Sequence, residues 1–315
     1  MSDRSSQERP GTTAAAGGPL GASTQLSPTP TKDTSYTMDE LMITVMARQL
    51  HGEVLVSSVT ALGALAAHLA KRTHAPDLAV LSTPESGMEV APIPTLTLGQ
   101  FLTDAQQGIP LTMEDIFDAI FLDRFRIWIN PAQVDRHGHV NITAIGPWDH
   151  PKVALVGSRG IPEDTSHLSQ ILYYVTSHTP RSVVAQVDFR SGAGYGPDRM
   201  RELGQPGSPT LLVTNLGVFD WNGPEHTLAV VSLHPGVTAA TVAEATPFPV
   251  ALPDPVPTTT EPTAAELALI RAADPLDVRK LEFLSGRAAA EGLVNIYERE
   301  RQALHAAVWP HRRSR

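Results

Sequence analysis

The segment 133–143 reads Gln-Val-Asp-Arg-His-Gly-His-Val-Asn-Ile-Thr and concentrates two amides, a carboxylate and two imidazoles in one short stretch. It lies between two apolar, strand-like runs at 127–129 and 153–156. Loops held by rigid strands are frequent locations of binding and catalytic residues. We therefore expect a polar loop here that lines a ligand site or a subunit contact.

The polar residues of this segment also have a structural interpretation. Asp135 and Asn141 are short polar side chains that commonly close a turn through hydrogen bonds to nearby backbone. His137 and His139 lack a third ligand at a spacing suited to a metal ion, so we expect a polar turn and no metal site.

A second carboxylate follows a predicted strand elsewhere in the chain. Residues 78–81 are apolar, and Glu85-Ser86-Gly87 comes shortly after them. The carboxyl ends of parallel strands form the edge where open α/β sheets bind ligands, so Glu85 is a candidate for chemistry there. On spacing alone, a solvated loop acid is the more frequent role of such a residue.

A glycine-rich turn supplies a third group of candidates. Gly157-Ser158-Arg159-Gly160 follows the strand that ends at Val156 and precedes a helix. The backbone N–H groups of such a turn can face a ligand. Ser158 and Ser86 have no base adjacent in sequence, so the chain offers no argument for a Ser-His-Asp triad.

The elements that position these residues begin with a helix from Thr37, where Glu40 three residues later completes a capping box. A strand at 53–57, a helix at 61–72 and a strand at 78–81 follow with short connections. This order is a βαβ unit, which implies a parallel sheet.

Further apolar runs continue the pattern, with a hairpin turn signal at Asn222-Gly223. Runs without strict alternation indicate strands that are buried on both faces. We predict an α/β fold with an open, mostly parallel sheet and helices on both faces. The additional strands are expected at 126–129, 153–156, 183–187, 210–214 and 228–233, with helices at 112–121 and 164–176.

The chain divides by composition into a tail, a domain and an extension. Residues 1–36 are poor in large apolar side chains, and we expect a disordered tail. The domain spans 37–283 and contains a proline-rich linker at 247–262. Residues 284–315 are expected to form a C-terminal helical extension, and a final amphipathic helix is expected from about 279 to 305.

Composition excludes several classes of protein. The chain has 315 residues, a formal charge of -9 and no cysteine. A negative chain is a poor partner for nucleic acid or an anionic membrane. Disulfides, thiolate metal sites and a cysteine nucleophile are excluded. No apolar run has the roughly 20 residues needed to span a bilayer, so we expect a cytoplasmic protein.

Several segments together resemble the β subunits of family I coenzyme A transferases. The segment from Ala132 to Asn141 is similar to the "AQ(V/I)DxxGxxN" pattern of glutaconate CoA-transferase, and Glu85-Ser86-Gly87 matches its "ESG". Gly157-Ser158-Arg159-Gly160-Ile161-Pro162 and the segments 214–220 and 232–238 look more like the β subunit of a bacterial steroid-ring CoA hydrolase of the same superfamily. The resemblance covers about residues 37–283 and implies the CoA-transferase (NagB/RpiA-like) fold.

The resemblance implies a reaction and its residues. Glu85 matches the nucleophile that forms a glutamyl-CoA thioester, and Gly87 matches a glycine of close approach. The substrate is a coenzyme A thioester, with no permanently bound cofactor. A homologous α subunit is the expected partner, together with an acyl-CoA and a carboxylic acid. The residues that match the substrate- or CoA-binding loops are Gln133, Asp135, Asn141, Gly157, Ser158 and Gly160.

The chain departs from the transferase pattern at three places. About two extra residues, around Ser82-Thr83-Pro84, precede Glu85. Pro131 replaces a glycine and donates no N–H, and Arg159 replaces a small residue. Two alternatives therefore remain open: a β subunit of a CoA-thioester hydrolase, lyase or decarboxylase whose partner supplies the key acid or base, and a non-catalytic assembly subunit.

Overall fold

The computed structural model describes residues 35–57, 60–81, 111–196 and 209–308. Residues 1–34 lie outside the described part, so the predicted disordered tail stays a prediction. Glu85 and Gly87 also lie outside it, in the segment 82–110 that follows the second strand.

The described chain alternates helices and short strands. The helices are α1 (Met38–Ala47), α2 (Ala61–Thr73), α3 (Met113–Phe121), α4 (Ile161–His167), α5 (Ala239–Ala245), α6 (Ala264–Ala273) and α7 (Gly286–Val308), with a 3-10 helix at Val278–Phe283 before α7. The strands are β1 (Leu55–Ser57), β2 (Ala79–Leu81), β3 (Phe125–Arg126), β4 (Trp128–Ile129), β5 (Gln133–Asp135), β6 (Val140–Asn141), β7 (Ala144–Ile145), β8 (Val153–Ala154), β9 (Ile171–Val175), β10 (Val183–Val184), β11 (Pro209–Thr214), β12 (Gly217–Asp220) and β13 (Ala229–Leu233).

The predicted βαβ unit is present. β1 pairs in parallel with β2 and with β3, which gives the strand order β2-β1-β3. Ser57 and Leu81 are register partners, so β1 and β2 end at the same edge of this sheet. The segment with Glu85 therefore leaves the described part of the chain from the carboxyl end of a parallel strand.

A second sheet forms the centre of the fold, in the order β13-β12-β11-β9-β4. β4, β9 and β11 are parallel, whereas β12 and β13 are antiparallel to their neighbours. Successive side chains of a strand point to opposite faces of its sheet. Leu172 and Tyr174 accordingly pack with α1 and α2, and Ile171 and Tyr173 pack in the core that includes residues of α3, α4 and α5. Helices thus cover both faces, as the sequence predicts.

One predicted element is wrong. The helix expected over 164–176 is instead α4, which ends at His167, followed by β9. All five residues of β9 are buried, which a single apolar helix face cannot achieve but a central strand with helices on both sides can. The sequence Ile-Leu-Tyr-Tyr-Val is also rich in β-branched and aromatic residues, which favour strands.

The strand expected over 153–156 is also different from its prediction. Only Val153–Ala154 forms a strand, and it pairs antiparallel with β7 outside the central sheet. Val153 is 48% exposed and Val156 70% exposed, so this run is a surface feature despite its apolar residues. Part of the strand content therefore forms small separate sheets.

The proline-rich residues 247–262 run beside β13. Ala251 forms a bridge with Ala229, and Thr258 forms one with Leu233. Phe248, in this segment, is buried in the same core as Ile171 and Tyr173 of β9. These two bridges place the segment beside the edge of the central sheet, where proline, which donates no N–H, is tolerated.

An ionic cluster joins the start of the domain to its end. The Arg279 guanidinium, only 3% exposed, lies 2.6 Å from Asp39 and 3.0 Å from Asp274. Arg271 pairs with Glu40 at 2.7 Å, where Glu40 also accepts the Thr37 N–H of the predicted capping box. These contacts attach α1 to α6 and to the 3-10 helix, and so fix the position of the C-terminal part of the domain.

Within the described ranges, no helix combines the length and apolarity that crossing a membrane requires.

Candidate functional site

The polar segment 133–143, expected from sequence to be a loop, is a hairpin. β5 and β6 pair antiparallel, with Gln133 opposite Asn141. Asp135 closes the turn by accepting the backbone N–H groups of His137 at 2.9 Å and His139 at 3.1 Å. The turn-closing interpretation of Asp135 is therefore confirmed.

Gly138 is required at the tip of this hairpin. Its φ of +79° lies in the left-handed region that glycine adopts readily. A Cβ at this position would also lie 2.3 Å from Cγ of Pro209, which is too close for any side chain. The turn is thus packed against the start of β11 and cannot move independently of the central sheet.

Asn141 is completely buried and uses all of its hydrogen-bonding capacity. Its amide nitrogen donates to Gln133 Oε1 at 2.8 Å and to the Ala144 carbonyl at 2.7 Å. Its amide oxygen accepts the N–H groups of Thr143 and Ala144. Four bonds satisfy an asparagine amide, so this side chain positions its neighbours and has nothing left for a ligand.

Gln133 connects the hydrogen bonds of Asn141 with residues nearer the surface. Its amide oxygen accepts the Asp188 N–H at 3.0 Å, and its amide nitrogen donates to Asp188 Oδ2 at 3.2 Å. The same carboxylate oxygen accepts the Gly146 N–H at 2.9 Å. The exposed Asp188 thus connects the hairpin with β7, and Gln133 itself is buried.

Ser158 lies beside this hairpin, although 25 residues separate it from Gln133 in sequence. The Thr143 hydroxyl is 2.9 Å from Ser158 Oγ and 2.7 Å from Ser191 Oγ. Ser191 also accepts the Ile142 N–H at 2.9 Å. Three hydroxyl groups from separate segments therefore bring the glycine-rich turn against the hairpin.

The glycine-rich turn is open on its outer side. Gly157 has a φ of +86°, and Gly160 is the N-cap of α4. A Cβ built on either glycine meets no atom within 4 Å. A ligand can therefore approach this backbone closely, which is the geometry that the predicted role of Gly157, Ser158 and Gly160 requires.

Two carboxylates near the site have raised pKa values. Burial raises the pKa of Asp135, and hydrogen bonds from His137, His139 and Val187 offset part of that rise. Burial and the neighbouring Glu163 raise the pKa of Asp164, in the first turns of α4, to about 7. A carboxyl group with such a pKa exchanges a proton near neutral pH, which is the property of a general acid or base.

Thr143, Asp188 and Ser191 belong to the network but were not predicted as site residues. Asp188 follows the predicted strand 183–187, so it carries the same signal that indicated Glu85: an acid after a strand of a parallel pair. Thr143 and Ser191 have no comparable signal, because their contacts join segments nearly fifty residues apart.

No group of three or more His, Asp or Glu side chains suited to a metal ion occurs among the residues that the structure describes. His139 instead accepts the Gly194 N–H at 2.7 Å through Nδ1. His137 Nδ1 lies 3.3 Å from the His226 carbonyl.

Comparisons with known proteins show which family the chain belongs to. No protein-family model matches the chain. The IpdB subunit of the cholesterol ring-cleaving hydrolase of Mycobacterium tuberculosis is 36% identical over 249 residues, 74% of this chain and 92% of that subunit. The matching subunit of the 3-oxoadipate CoA-transferase of Pseudomonas knackmussii is 32% identical over 248 residues, 76% of this chain and 93% of that protein.

The fold agrees with these sequence matches. The crystal structure of Rhodococcus jostii RHA1 IpdAB superposes with a TM-score of 0.67 and 33% sequence identity, covering 80% of this chain and all of that chain. The resemblance drawn from the sequence segments is confirmed. The chain belongs to the β subunits of the family I coenzyme A transferase superfamily of enzymes.

Proposed function

We propose that this chain is the β subunit of an αβ enzyme that transfers coenzyme A between carboxylic acids through Glu85. The observation that carries the proposal is the placement of Glu85-Ser86-Gly87 just after β2, a strand whose parallel partner β1 ends at the same edge. Membership of the CoA-transferase superfamily supplies the substrate class, an acyl-CoA thioester.

The reaction is nucleophilic catalysis by a carboxylate. Glu85 attacks the thioester carbonyl, the C–S bond breaks, and CoA thiolate leaves a mixed anhydride. The thiolate then attacks the glutamyl carbonyl and expels the acyl group as a carboxylate, which leaves a glutamyl-CoA thioester. An acceptor carboxylate reverses these two steps, forms a new acyl-CoA and regenerates Glu85.

The described residues position this chemistry. Tetrahedral intermediates of acyl transfer need pre-placed donors for the developing oxyanion. The open backbone at Gly157 and Gly160 offers such N–H groups. The hydrogen bonds of Asn141 and Thr143 hold that turn against the hairpin, so the donors do not have to reorganise during the reaction.

An α subunit completes the enzyme. IpdAB is an αβ complex, and the two relatives described above are named as subunits. In this proposal the α subunit holds much of the coenzyme A, and the β chain presents Glu85 to the thioester. Localisation in the cytoplasm, where acyl-CoA metabolism occurs, belongs to the same proposal.

A hydrolase is the second candidate, because the chain is 36% identical to the ring-cleaving hydrolase subunit and 32% identical to the CoA-transferase subunit. The Arg159-Gly160-Ile161-Pro162 sequence points in the same direction. Under this alternative, water attacks a ring carbonyl of the substrate, the α subunit supplies the acid or base, and Glu85 forms no covalent bond.

The substitution Glu85→Gln distinguishes the transferase from the hydrolase. The αβ complex is assayed with short-chain and dicarboxylic acyl-CoA donors and succinate as acceptor, and with a ring-bearing acyl-CoA for hydrolysis. Transfer should fall by ~10³-fold or more, since a nucleophile is removed, while Glu114→Gln on the exposed face of α3 serves as the matched control. Full transfer activity in Glu85→Gln would reject the covalent mechanism, and hydrolysis that survives the substitution would support the second candidate.

A further inference from the structure

Three hydroxyl groups meet between the hairpin and the glycine-rich turn, and their protons have to be shared among two contacts. Thr143 Oγ1 lies 2.7 Å from Ser191 Oγ and 2.9 Å from Ser158 Oγ. A serine or threonine hydroxyl has one proton to donate and lone pairs that accept. Two contacts hold two of the three protons, so the third proton is left for a group outside the cluster.

Ser191 fixes the direction in which these protons are donated. It is 3% exposed, and its Oγ accepts the Ile142 N–H at 2.9 Å. Among the residues that the structure describes, Thr143 Oγ1 is the other hydrogen-bonding partner of this hydroxyl. A buried hydroxyl proton without an acceptor loses its bond to water and gains none in return. Ser191 therefore donates to Thr143, and Thr143 donates its own proton to Ser158.

The proton that remains belongs to Ser158. Its Oγ accepts from Thr143, and within the described ranges of the chain no further group bonds this hydroxyl. Ser158 is only half-buried, whereas Ser191 is buried, so the Ser158 proton can point out of the protein. The opposite direction would leave the most buried of the three protons without an acceptor. The Ser158 hydroxyl is thus a donor whose acceptor comes from outside the chain.

The turn around Ser158 favours an oxygen atom that carries negative charge. Arg159 is exposed, and its guanidinium has no ion pair in the described part of the chain. Its φ of +52° is a backbone conformation that is costly for residues other than glycine and is concentrated at functional sites. A Cβ built on Gly157 or Gly160 meets no atom within 4 Å, so a substrate can reach the turn. A donor, a positive charge and access therefore coincide here.

We propose that Ser158 donates its hydroxyl proton to the carbonyl oxygen that is attacked in the acyl-CoA substrate, and that Thr143 and Ser191 are positioning residues that set the direction of this bond. The identity of the acceptor rests on the proposed function. Attack on a carbonyl places negative charge on its oxygen, and donors that are already in place stabilise that charge without reorganising. The Ser158 hydroxyl then acts beside the backbone N–H groups of its own turn.

The direction of the bonds is tested without a substrate, on the full-length chain with ¹³C-labelled serine and threonine. In equal volumes of light and heavy water, a slowly exchanging hydroxyl gives two Cβ signals and a rapidly exchanging one gives a single averaged signal. We expect two signals for Thr143 and for Ser191, whose protons stay within the cluster, and one for Ser158. Two signals for Ser158, or an averaged signal for Thr143 or Ser191, would overturn this direction.

The effect on catalysis is tested on the αβ complex with acyl-CoA. Ser158→Ala should lower kcat by roughly 10²-fold and leave KM little changed, because the lost bond acts in the transition state. Thr143→Val should lower kcat by about 3- to 10-fold, as expected for one ordinary hydrogen bond. Thr143→Ser returns the hydroxyl and should restore kcat. Ser166→Ala on α4 is the matched control, because its hydroxyl donates to the Pro162 carbonyl and not to the cluster.

A double variant separates positioning from a merely structural role. If Thr143 acts through Ser158, Thr143→Val should lower kcat no further once Ser158→Ala is present. Effects that multiply, a Thr143→Ser variant as slow as Thr143→Val, or a Ser158→Ala variant that changes KM alone would contradict the inference.

Failure of the proposed function is visible separately. Full transfer activity in Glu85→Gln would reject the covalent mechanism, and the kcat of Ser158→Ala would still decide the donor, because hydrolysis also places negative charge on an attacked carbonyl oxygen. A wild-type complex without activity towards any acyl-CoA would reject the proposed function, and the Cβ signals would still decide the direction of the hydroxyl groups.

Discussion

The molecule buries carboxylates in two regions, and it stabilises them by different means. In the ionic cluster, Asp39 and Asp274 lie against the buried guanidinium of Arg279. In the hairpin, Asp135 is equally buried but receives only backbone N–H groups. Charge pairing joins distant helices, whereas N–H groups of its own turn hold the hairpin in shape.

The pKa values record this difference. Burial alone would raise the pKa of Glu40, but hydrogen bonds from Arg271 and Thr37 outweigh it and leave the pKa below its ordinary value. Burial also dominates at Asp135, and there the backbone donors do not overcome it, so the pKa stays raised. A carboxylate near the candidate site is therefore less firmly ionised than one in the structural cluster.

The largest expected effect is in the ionic cluster. Arg279→Met leaves Asp39 and Asp274 buried without their cation, which should lower the free energy of unfolding by roughly 3–5 kcal/mol. Urea unfolding of the isolated chain measures the change, with Arg287→Met on an exposed pair of α7 as the control. A loss below about 1 kcal/mol would show that the cluster does not stabilise the domain through charge pairing.

Asp164 differs from both groups of carboxylates, because within the described chain its carboxylate has neither an arginine partner nor a backbone donor in hydrogen-bonding contact. Its pKa is raised to about 7 from an ordinary value of 3.8, so its ionised form is disfavoured by folding. Wild-type stability should therefore fall as pH rises from about 4 to about 7. At ~1.4 kcal/mol per pKa unit, the accumulated loss is on the order of 2–4 kcal/mol.

The measurement is the difference in unfolding free energy between Asp164→Asn and wild type at pH 5 and at pH 8. Asparagine does not ionise, so its advantage over wild type should be larger at pH 8 than at pH 5. An equal difference at both pH values would mean that Asp164 has no raised pKa in the folded chain.

A smaller effect is expected at the hairpin. Asp135→Ala leaves two turn N–H groups without an acceptor, which should cost about 1–3 kcal/mol of stability. Asp135→Asn keeps an amide oxygen for both donors and should cost less than half as much. Urea unfolding compares the two variants, and equal losses would show that the charge of Asp135, and not its role as an acceptor, holds the turn.

Local signals in the sequence predicted much of this fold. The capping box at Thr37 marks the true start of α1, because its two interacting residues lie three positions apart. The turn-closing bonds of Asp135 are equally local. β9 was predicted as helix because short apolar runs do not distinguish a buried strand from a buried helix, and only its neighbours in the sheet decide the matter.

The candidate site was predictable only in part. Gln133, Asn141 and Ser158 are joined in one hydrogen-bond network through Thr143, and Asp135 closes the turn of the same hairpin. The hydroxyl contacts of Thr143 with Ser191 and the approach of Glu282 to Tyr174 join residues that are 48 and 108 positions apart. Sequence spacing does not predict contacts between residues so far apart, because these contacts depend on how the sheets and the C-terminal segment pack.

In the proposed mechanism, Glu85 becomes covalently attached to coenzyme A during turnover. The most direct test incubates the αβ complex with acyl-CoA in the absence of an acceptor, followed by borohydride and peptide mass spectrometry. The covalent mechanism predicts that borohydride reduces a glutamyl thioester at Glu85 to the corresponding alcohol, and that Glu85→Gln shows no such product. An active complex whose Glu85 peptide remains unmodified under these conditions would contradict the proposed mechanism.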